Sequence, residues 1–263
     1  MKKDRVRSMI DIHCHILPGI DDGAKDEEAS IAMAKAAVAQ GIQTIIATPH
    51  HQNGSYTNTK TSILENVQAL NNLLQEEGIP LTILPGQENR LFGEMVSDFQ
   101  SGELLTLTNE TNYLFVEFPS GSVPRYAKQM LFDLQVAGVK PIIVHPERNR
   151  EIMEHPSILF DFVQRGALTQ VTAASVIGKF GKNIQKFTHQ LIEANLTHFI
   201  ASDAHNTTSR GFCLDDAFQH VKERYGSDYH YLMLENSQLL VDGSTVNRME
   251  PSEIKKKKIL GLF

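Results

Sequence analysis

Met9-Ile10-Asp11-Ile12-His13-Cys14-His15 is a short apolar run that ends in two histidines. Side chains alternate along an extended chain, so His13 and His15 leave on the same side and both can reach one metal ion. Outward from this stretch the pattern repeats. Thr48-Pro49-His50, Gly86-Gln87-Glu88, Phe115-Val116-Glu117, Val144-His145-Pro146-Glu147 and Ser202-Asp203-Ala204-His205 each carry an imidazole or carboxylate. Most of them follow an apolar, β-branched run. So many mixed N and O donors suit more than one ion, with Mn, Fe and Zn all acceptable. Clustered ions serve hydrolysis, above all of phosphate esters.

The apolar runs at 9–12, 44–47, 81–84, 113–118, 141–144, 169–172 and 199–201 predict strands. Most are too uniformly apolar for one wet face, so they read as parallel and buried. Helical patterns at 26–40, 59–77, 124–137, 156–164, 183–194 and 212–225 lie between or after them. Asp26 is the expected N-cap of the first, with Gly41 past its end. In the second, Ile63, Val67, Leu70 and Leu74 fall at helical spacing. Strand–helix alternation of this kind predicts a parallel α/β architecture, open or closed. His13, His15, Glu117, His145, Asp203 and His205 then stand at or just beyond C-terminal strand ends. Those ends converge on one face in parallel α/β folds.

The composition is that of a globular chain: 263 residues, 41% hydrophobic and 21% charged, with formal net charge -6. That charge argues against a general nucleic-acid binder. Two cysteines, Cys14 and Cys213, make no disulfide framework and point to a reducing, cytoplasmic setting. No apolar run approaches the roughly 20 residues of a membrane span, and residues 1–8 do not read as an export signal.

Some residues are ambiguous in isolation. Asp21-Asp22-Gly23 has the composition of a turn, and only closeness to His13 and His15 raises it. Glu88 by itself reads as a surface carboxylate. His50 is favoured over His51 because it comes first after the strand. Glu117 sits in a strongly apolar strand, where an unpaired carboxylate is costly. Arg148 and Arg210, each a few residues past a ligand candidate, suit bidentate phosphate contact. Neither cysteine opens a C-x5-R phosphatase loop: Ile20 and Gln219 occupy the arginine positions. Gly178-Lys179-Phe180-Gly181-Lys182 lacks Walker A spacing, and no G-x-S-x-G elbow occurs.

These motifs together resemble the PHP (polymerase and histidinol phosphatase) superfamily. The four signatures are Asp11-x-His13-x-His15, Thr48-Pro49-His50, His145-Pro146-Glu147-Arg148 and Ser202-Asp203-x-His205. The stretches 12–23, 47–51, 144–150 and 201–206 look more narrowly like the bacterial capsule and exopolysaccharide tyrosine phosphatases of the CpsB/YwqE type. The resemblance implies a distorted (β/α)7 barrel, PHP/TIM-like, with a metal cluster at the C-terminal strand ends. It implies three divalent ions, usually Mn, with Fe or Zn as alternatives. One ion would be held by His13, His15, Glu88 and Asp203. A second would share Glu88 and add Glu117 and His145. The third would take Asp22, His50 and His205. Arg148 and Arg210 match phosphate-contacting arginines.

The expected activity is hydrolysis of phosphotyrosine on a protein, the substrate being a bacterial tyrosine kinase that controls capsule or exopolysaccharide synthesis. A hydroxide bridging two ions would attack phosphorus in line. The rival readings are a small-molecule phosphoesterase such as a histidinol-phosphate phosphatase, and a metal-holding protein that binds a kinase without catalysis. The expected organisation is an arm over 1–8, a phosphatase domain over 9–250 and a tail over 251–263. Lys255-Lys256-Lys257-Lys258 ahead of an apolar tip admits contact with anionic lipid, with a solvated end preferred.

Overall fold

The computed structural model describes residues 9–254. The expected arm at 1–8 and the 255–263 part of the expected tail, including its lysines, lie outside the described residues. Of the expected tail, 251–254 is described, and the Ser252 backbone N–H donates to the Ala194 carbonyl at 2.9 Å.

Among the described residues nine strands appear: β1 (Met9–Cys14), β2 (Ile42–Ala47), β3 (His50–His51), β4 (Thr82–Pro85), β5 (Glu88–Arg90), β6 (Tyr113–Glu117), β7 (Lys140–Val144), β8 (Leu168–Thr172) and β9 (Phe199–Ala201). They form two sheets, ordered β1-β2-β4 and β3-β5-β6-β7-β8-β9. Every pairing is parallel. The expected parallel α/β architecture is therefore present.

All seven expected strands are found, and two of them continue after a break. β2 stops before Thr48-Pro49 and resumes as β3; β4 stops before Gly86-Gln87 and resumes as β5. Each continuation leaves the first sheet and pairs in the second, with His50 opposite Glu88. Pro49 has no N–H for a ladder. Gly86 is packed so tightly that a Cβ there would lie 2.7 Å from Ile46 Cγ2. At the far side, Cys14 makes a parallel bridge to Ala204. The His15 N–H donates to the Ala204 carbonyl and the Asp203 N–H to the His13 carbonyl, both at 2.9 Å. The end of β1 thus lies against the segment leaving β9.

Both faces of β6, β8 and β9 are buried throughout, and those of β1 and β7 from the second residue on, which explains their unbroken apolar runs. Ile45, Leu114, Ile143 and Ile200 belong to one apolar cluster, shared with the helices. Their neighbours Ile46, Phe115, Ile142 and Phe199 belong to another. The helix Glu27–Ala39 has Asp26 accepting from the Ala29 N–H. The helix Lys60–Glu76 is capped by Thr59 and buries Ile63, Val67, Leu70 and Leu74. Ala127–Val136, Ser157–Gln164, Lys182–Glu193 and Leu214–Tyr225 account for the other expected helices. The Pro124 start becomes a turn, with the Ala127 N–H donating to the Pro124 carbonyl.

One long helix was not expected. Ser227–Val241 buries His230, Asn236 and Ser237 beside Met233 and Leu240, and polar residues on its inner face mask the apolar period. Asn236 Nδ2 donates to the carbonyls of His198 and Asn247. The Tyr113 hydroxyl donates to the Ser244 carbonyl at 2.7 Å and accepts from the Val246 N–H at 3.2 Å. The C-terminal segment is tied to the strands by these bonds.

Candidate metal centre

Strand ends deliver the side chains. His13 lies in β1 and His15 just past it; His50 opens β3 and Glu88 opens β5. Glu117 closes β6, His145 follows β7, and Asp203 and His205 follow β9. Asp22 comes from the loop after β1. The backbones of His145 and Asp203 are left-handed, at φ 36° and 52°. Neither residue is glycine, so each costs about 1–3 kcal/mol, a strain that collects where a side chain must be aimed at a site.

Glu88 is the hub. Its Oε1 is 2.7 Å from His145 Nε2. Its Oε2 lies 2.8 Å from His50 Nδ1, 3.4 Å from His15 Nε2 and 3.5 Å from His13 Nε2. Asp203 Oδ1 is 3.4 Å from His15 Nε2 and 3.6 Å from His13 Nε2. Asp22 Oδ1 stands 3.4 Å from His50 Nε2 and 3.3 Å from His205 Nε2. Separations of this size, many longer than a hydrogen bond, are those of ligand atoms about 2.0–2.2 Å from a shared ion.

All nine expected ligands meet here, with differences of grouping. His13, His15 and Glu88 lie within 4.8 Å of one another, as do His15, Asp22, His50 and His205. His15 therefore adjoins the expected third group as well as the first. Glu117 assembles with His50 and Glu88, not with His145. Arg90 explains part of this, since its Nε is 3.0 Å from Glu117 Oε2. His145 meets the cluster through its 2.7 Å contact with Glu88.

Several buried atoms in the cluster make no well-formed hydrogen bond: His50 Nδ1, Glu88 Oε2, Glu117 Oε2 and His205 Nε2. Buried polar groups without partners are costly. Their convergence, with this donor set, fits divalent cations. The histidine tautomers fit too. His13 Nδ1 lies 2.9 Å from Gln170 Oε1, His15 Nδ1 2.7 Å from Asp21 Oδ2 and His205 Nδ1 3.0 Å from the Asp203 carbonyl. Those oxygens only accept, so Nδ1 carries the proton and the Nε2 lone pair faces the cluster.

The electrostatics fit for Glu88, Asp203 and His145, whereas at His15 and His50 the neighbouring carboxylates overcome burial and raise the pKa, to about 10 for His50, so those two rings would release a proton to an ion. Burial works against the Glu88 carboxylate, but the His13 and His50 charges overcome it and hold its pKa well below the usual range. Burial also opposes ionised Asp203, and Arg148 with His13 reverses that. Burial and Arg148 push His145 down to about 4, leaving a neutral imidazole. Ionised acids and neutral histidines are the forms that bind metal. Burial and the Glu88 charge lift Glu117 to about 7 against the pull of Arg90.

Arg148 Nη2 and Arg210 Nη2 both reach Asp203 Oδ2, at 2.7 Å and 3.1 Å. Both guanidiniums stay partly exposed and line a cavity of about 250 Å³ with His145, Glu117 and the apolar Phe118 and Pro146. Gln170 and Arg90 had no assigned role in the sequence, and no motif spacing marks them; Asp21 was read only as part of the Asp21-Asp22-Gly23 turn. Asp11 was legible as part of its motif, and its carboxylate takes the Ser202 N–H at 2.9 Å and the Ser202 hydroxyl. Burial pushes it up to about 6.

A family model described as "Capsular polysaccharide synthesis, CpsB/CapC" matches residues 9–242. The tyrosine-protein phosphatase YwqE of Bacillus subtilis (strain 168) is 50% identical over 255 residues, 97% of this chain and 100% of YwqE. The tyrosine-protein phosphatase CpsB of Streptococcus pneumoniae is 29% identical over 224 residues, 83% of this chain and 92% of CpsB. A crystal structure from work on these two proteins, described as unique metal-dependent tyrosine phosphatases, superposes with TM-score 0.92 at 50% identity. It covers 94% of this chain and 100% of that one.

Proposed function

The chain belongs to the CpsB/CapC capsular polysaccharide synthesis family, and from that premise we propose that it is a metal-dependent tyrosine-protein phosphatase. The observation that carries the reading is the convergence of nine N and O donors, of which His50, Glu117, His145 and Asp203 line one cavity with Arg148 and Arg210. We infer that the two sheets are arcs of a distorted (β/α)7 barrel, which the Cys14–Ala204 bridge supports. The phosphatase domain is assigned to 9–250.

Three divalent ions, Mn by preference, are assigned to His13, His15, Glu88 and Asp203; to Glu88, Glu117 and His145; and to Asp22, His50 and His205. When bound, such ions supply Lewis acidity and bring the pKa of water to about 7. The chain's own residues do the rest. Arg148 and Arg210 each give one Nη to Asp203 and keep the remaining N–H groups for phosphate oxygens. Asp203 thus aims both guanidiniums, which then neutralise charge as it develops. Phe118, Val144 and Pro146 offer an apolar wall to an aromatic ring. A phenol leaves with a pKa of about 10, so the site needs no strong general acid.

The proposed substrate is a phosphotyrosyl protein, a bacterial tyrosine kinase in capsule or exopolysaccharide synthesis. The proposed compartment is the cytoplasm, in keeping with Cys14 and Cys213, both buried and unpaired. Among the described residues, no helix is long and apolar enough to cross a membrane. The test is an assay with added Mn on phosphotyrosyl peptide, phosphoseryl peptide and histidinol phosphate. Turnover should favour the phosphotyrosyl peptide and disappear with EDTA or Asp203→Ala. Preference for histidinol phosphate would move the assignment to a small-molecule phosphoesterase.

A further inference from the structure

Asp21 precedes the proposed ligand Asp22, and from sequence it is no more than a turn residue. Its side chain is 1% exposed. One oxygen, Oδ2, accepts from two donors: the His15 ring Nδ1–H at 2.7 Å and the His50 backbone N–H at 3.2 Å. The other, Oδ1, accepts from the Gly23 N–H at 2.9 Å. His15 is assigned with His13, Glu88 and Asp203, whereas His50 is assigned with Asp22 and His205. A single oxygen therefore holds a ligand from each of two groups.

We propose that Asp21 is a positioning residue that couples two ion-binding groups of the cluster. The inference rests on the metal reading above. The chemistry is specific. A carboxylate has no proton to give, so it obliges His15 to keep hydrogen on Nδ1 and to present the Nε2 lone pair to Glu88 and Asp203. The same atom fixes where β3 begins, and with it the His50 ring that faces Asp22 and Glu88. The loop cannot drift from this arrangement, because Gly23 is pressed onto His15: a Cβ at Gly23 would fall 2.1 Å from the His15 carbonyl oxygen. Asp22 thus inherits its place from the residue before it.

Removing an outer partner of a metal-bound histidine typically weakens metal binding by roughly 10–100-fold. For Asp21 that loss extends to both groups. Asn at the position is intermediate: its oxygen can face His15 and His50, but its amide nitrogen then meets the Gly23 N–H.

The experiment is calorimetric titration of metal-free full-length protein with Mn, for wild type, Asp21→Ala, Asp21→Asn and Asp26→Ala. Asp26 caps the next helix and touches none of the cluster, so that variant reports mere local loosening. Asp21→Ala should weaken the Mn sites of both coupled groups by about tenfold or more, Asp21→Asn should fall between, and Asp26→Ala should titrate like wild type. Wild-type affinity in Asp21→Ala, or a loss confined to one class of site, overturns the coupling. A wild type that takes up Mn without phosphatase activity overturns the functional reading and leaves this one standing. A wild type that takes up no Mn overturns both.

Discussion

Arg148 shows how much one side chain can carry at the residue scale. It pairs with Asp203 at 2.7 Å, and its guanidinium carbon stands 5.6 Å above the Phe180 ring. That clamp fixes the plane of the fork that faces the cavity. Replacing Arg148 with Ala should lower kcat/KM on phosphotyrosyl peptide by about 10²–10³, the loss typical of one preorganised donor to developing charge. Lys should restore little, since a point charge cannot reproduce a planar two-pronged contact. Steady-state kinetics on the two variants checks this; unchanged kcat/KM in Arg148→Ala removes the arginine from the mechanism. The residue types of the cluster were all legible in the sequence, Glu88 and Asp22 more weakly than the rest until the resemblance was added. The αL backbones of His145 and Asp203 were not, because His and Asp enter that region more readily than most residues but still only occasionally.

Among the elements, caps and apolar periods placed the early helices to within a residue or two: Asp26, Thr59 and the row Ile63, Val67, Leu70, Leu74 each act locally. β3 and β5 were not legible as strands. Each is very short, and His50-His51 and Glu88-Asn89-Arg90 carry no β-branched residue. Their pairing comes from the neighbouring strand, not from their own preference. The break at Gly86 is a packing event. A methyl there would meet Ile46 Cγ2 at 2.7 Å, Leu107 Cδ2 at 3.0 Å and Thr48 Cγ2 at 3.1 Å. Gly86→Ala should therefore cost about 1–3 kcal/mol by overpacking, read as a lower urea midpoint. A midpoint equal to wild type would show that these side chains yield freely.

For the whole molecule, the ligands come from strands that span β1 to the end of β9, so the unfolded chain has no such site. Anything bound only by the native state stabilises it by RT ln(1 + [L]/Kd), about 2.7 kcal/mol at 100 Kd for one site. Mn at that excess should raise the melting temperature, EDTA should reverse it, and Glu88→Gln should remove most of the gain, since Glu88 touches four imidazoles. Calorimetric scans with and without Mn measure this; a shift retained in Glu88→Gln would displace Glu88 from the centre.

By itself the sequence determined which residues are candidates for the chemistry and that they stand at the C-terminal ends of parallel strands. Those properties follow from side-chain type, period and capping, all of which act over a few residues. Only the tertiary structure decided which ligands become neighbours, why Glu117 leans to Arg90 and His50 instead of His145, and that Asp21, Gln170 and Asp203 orient what surrounds them. These outcomes depend on strand register and on loops meeting across the sheet. A contact of 2.7 Å between Arg148 and Asp203 joins the segments that follow β7 and β9, and it exists only once those strands have paired into the sheet.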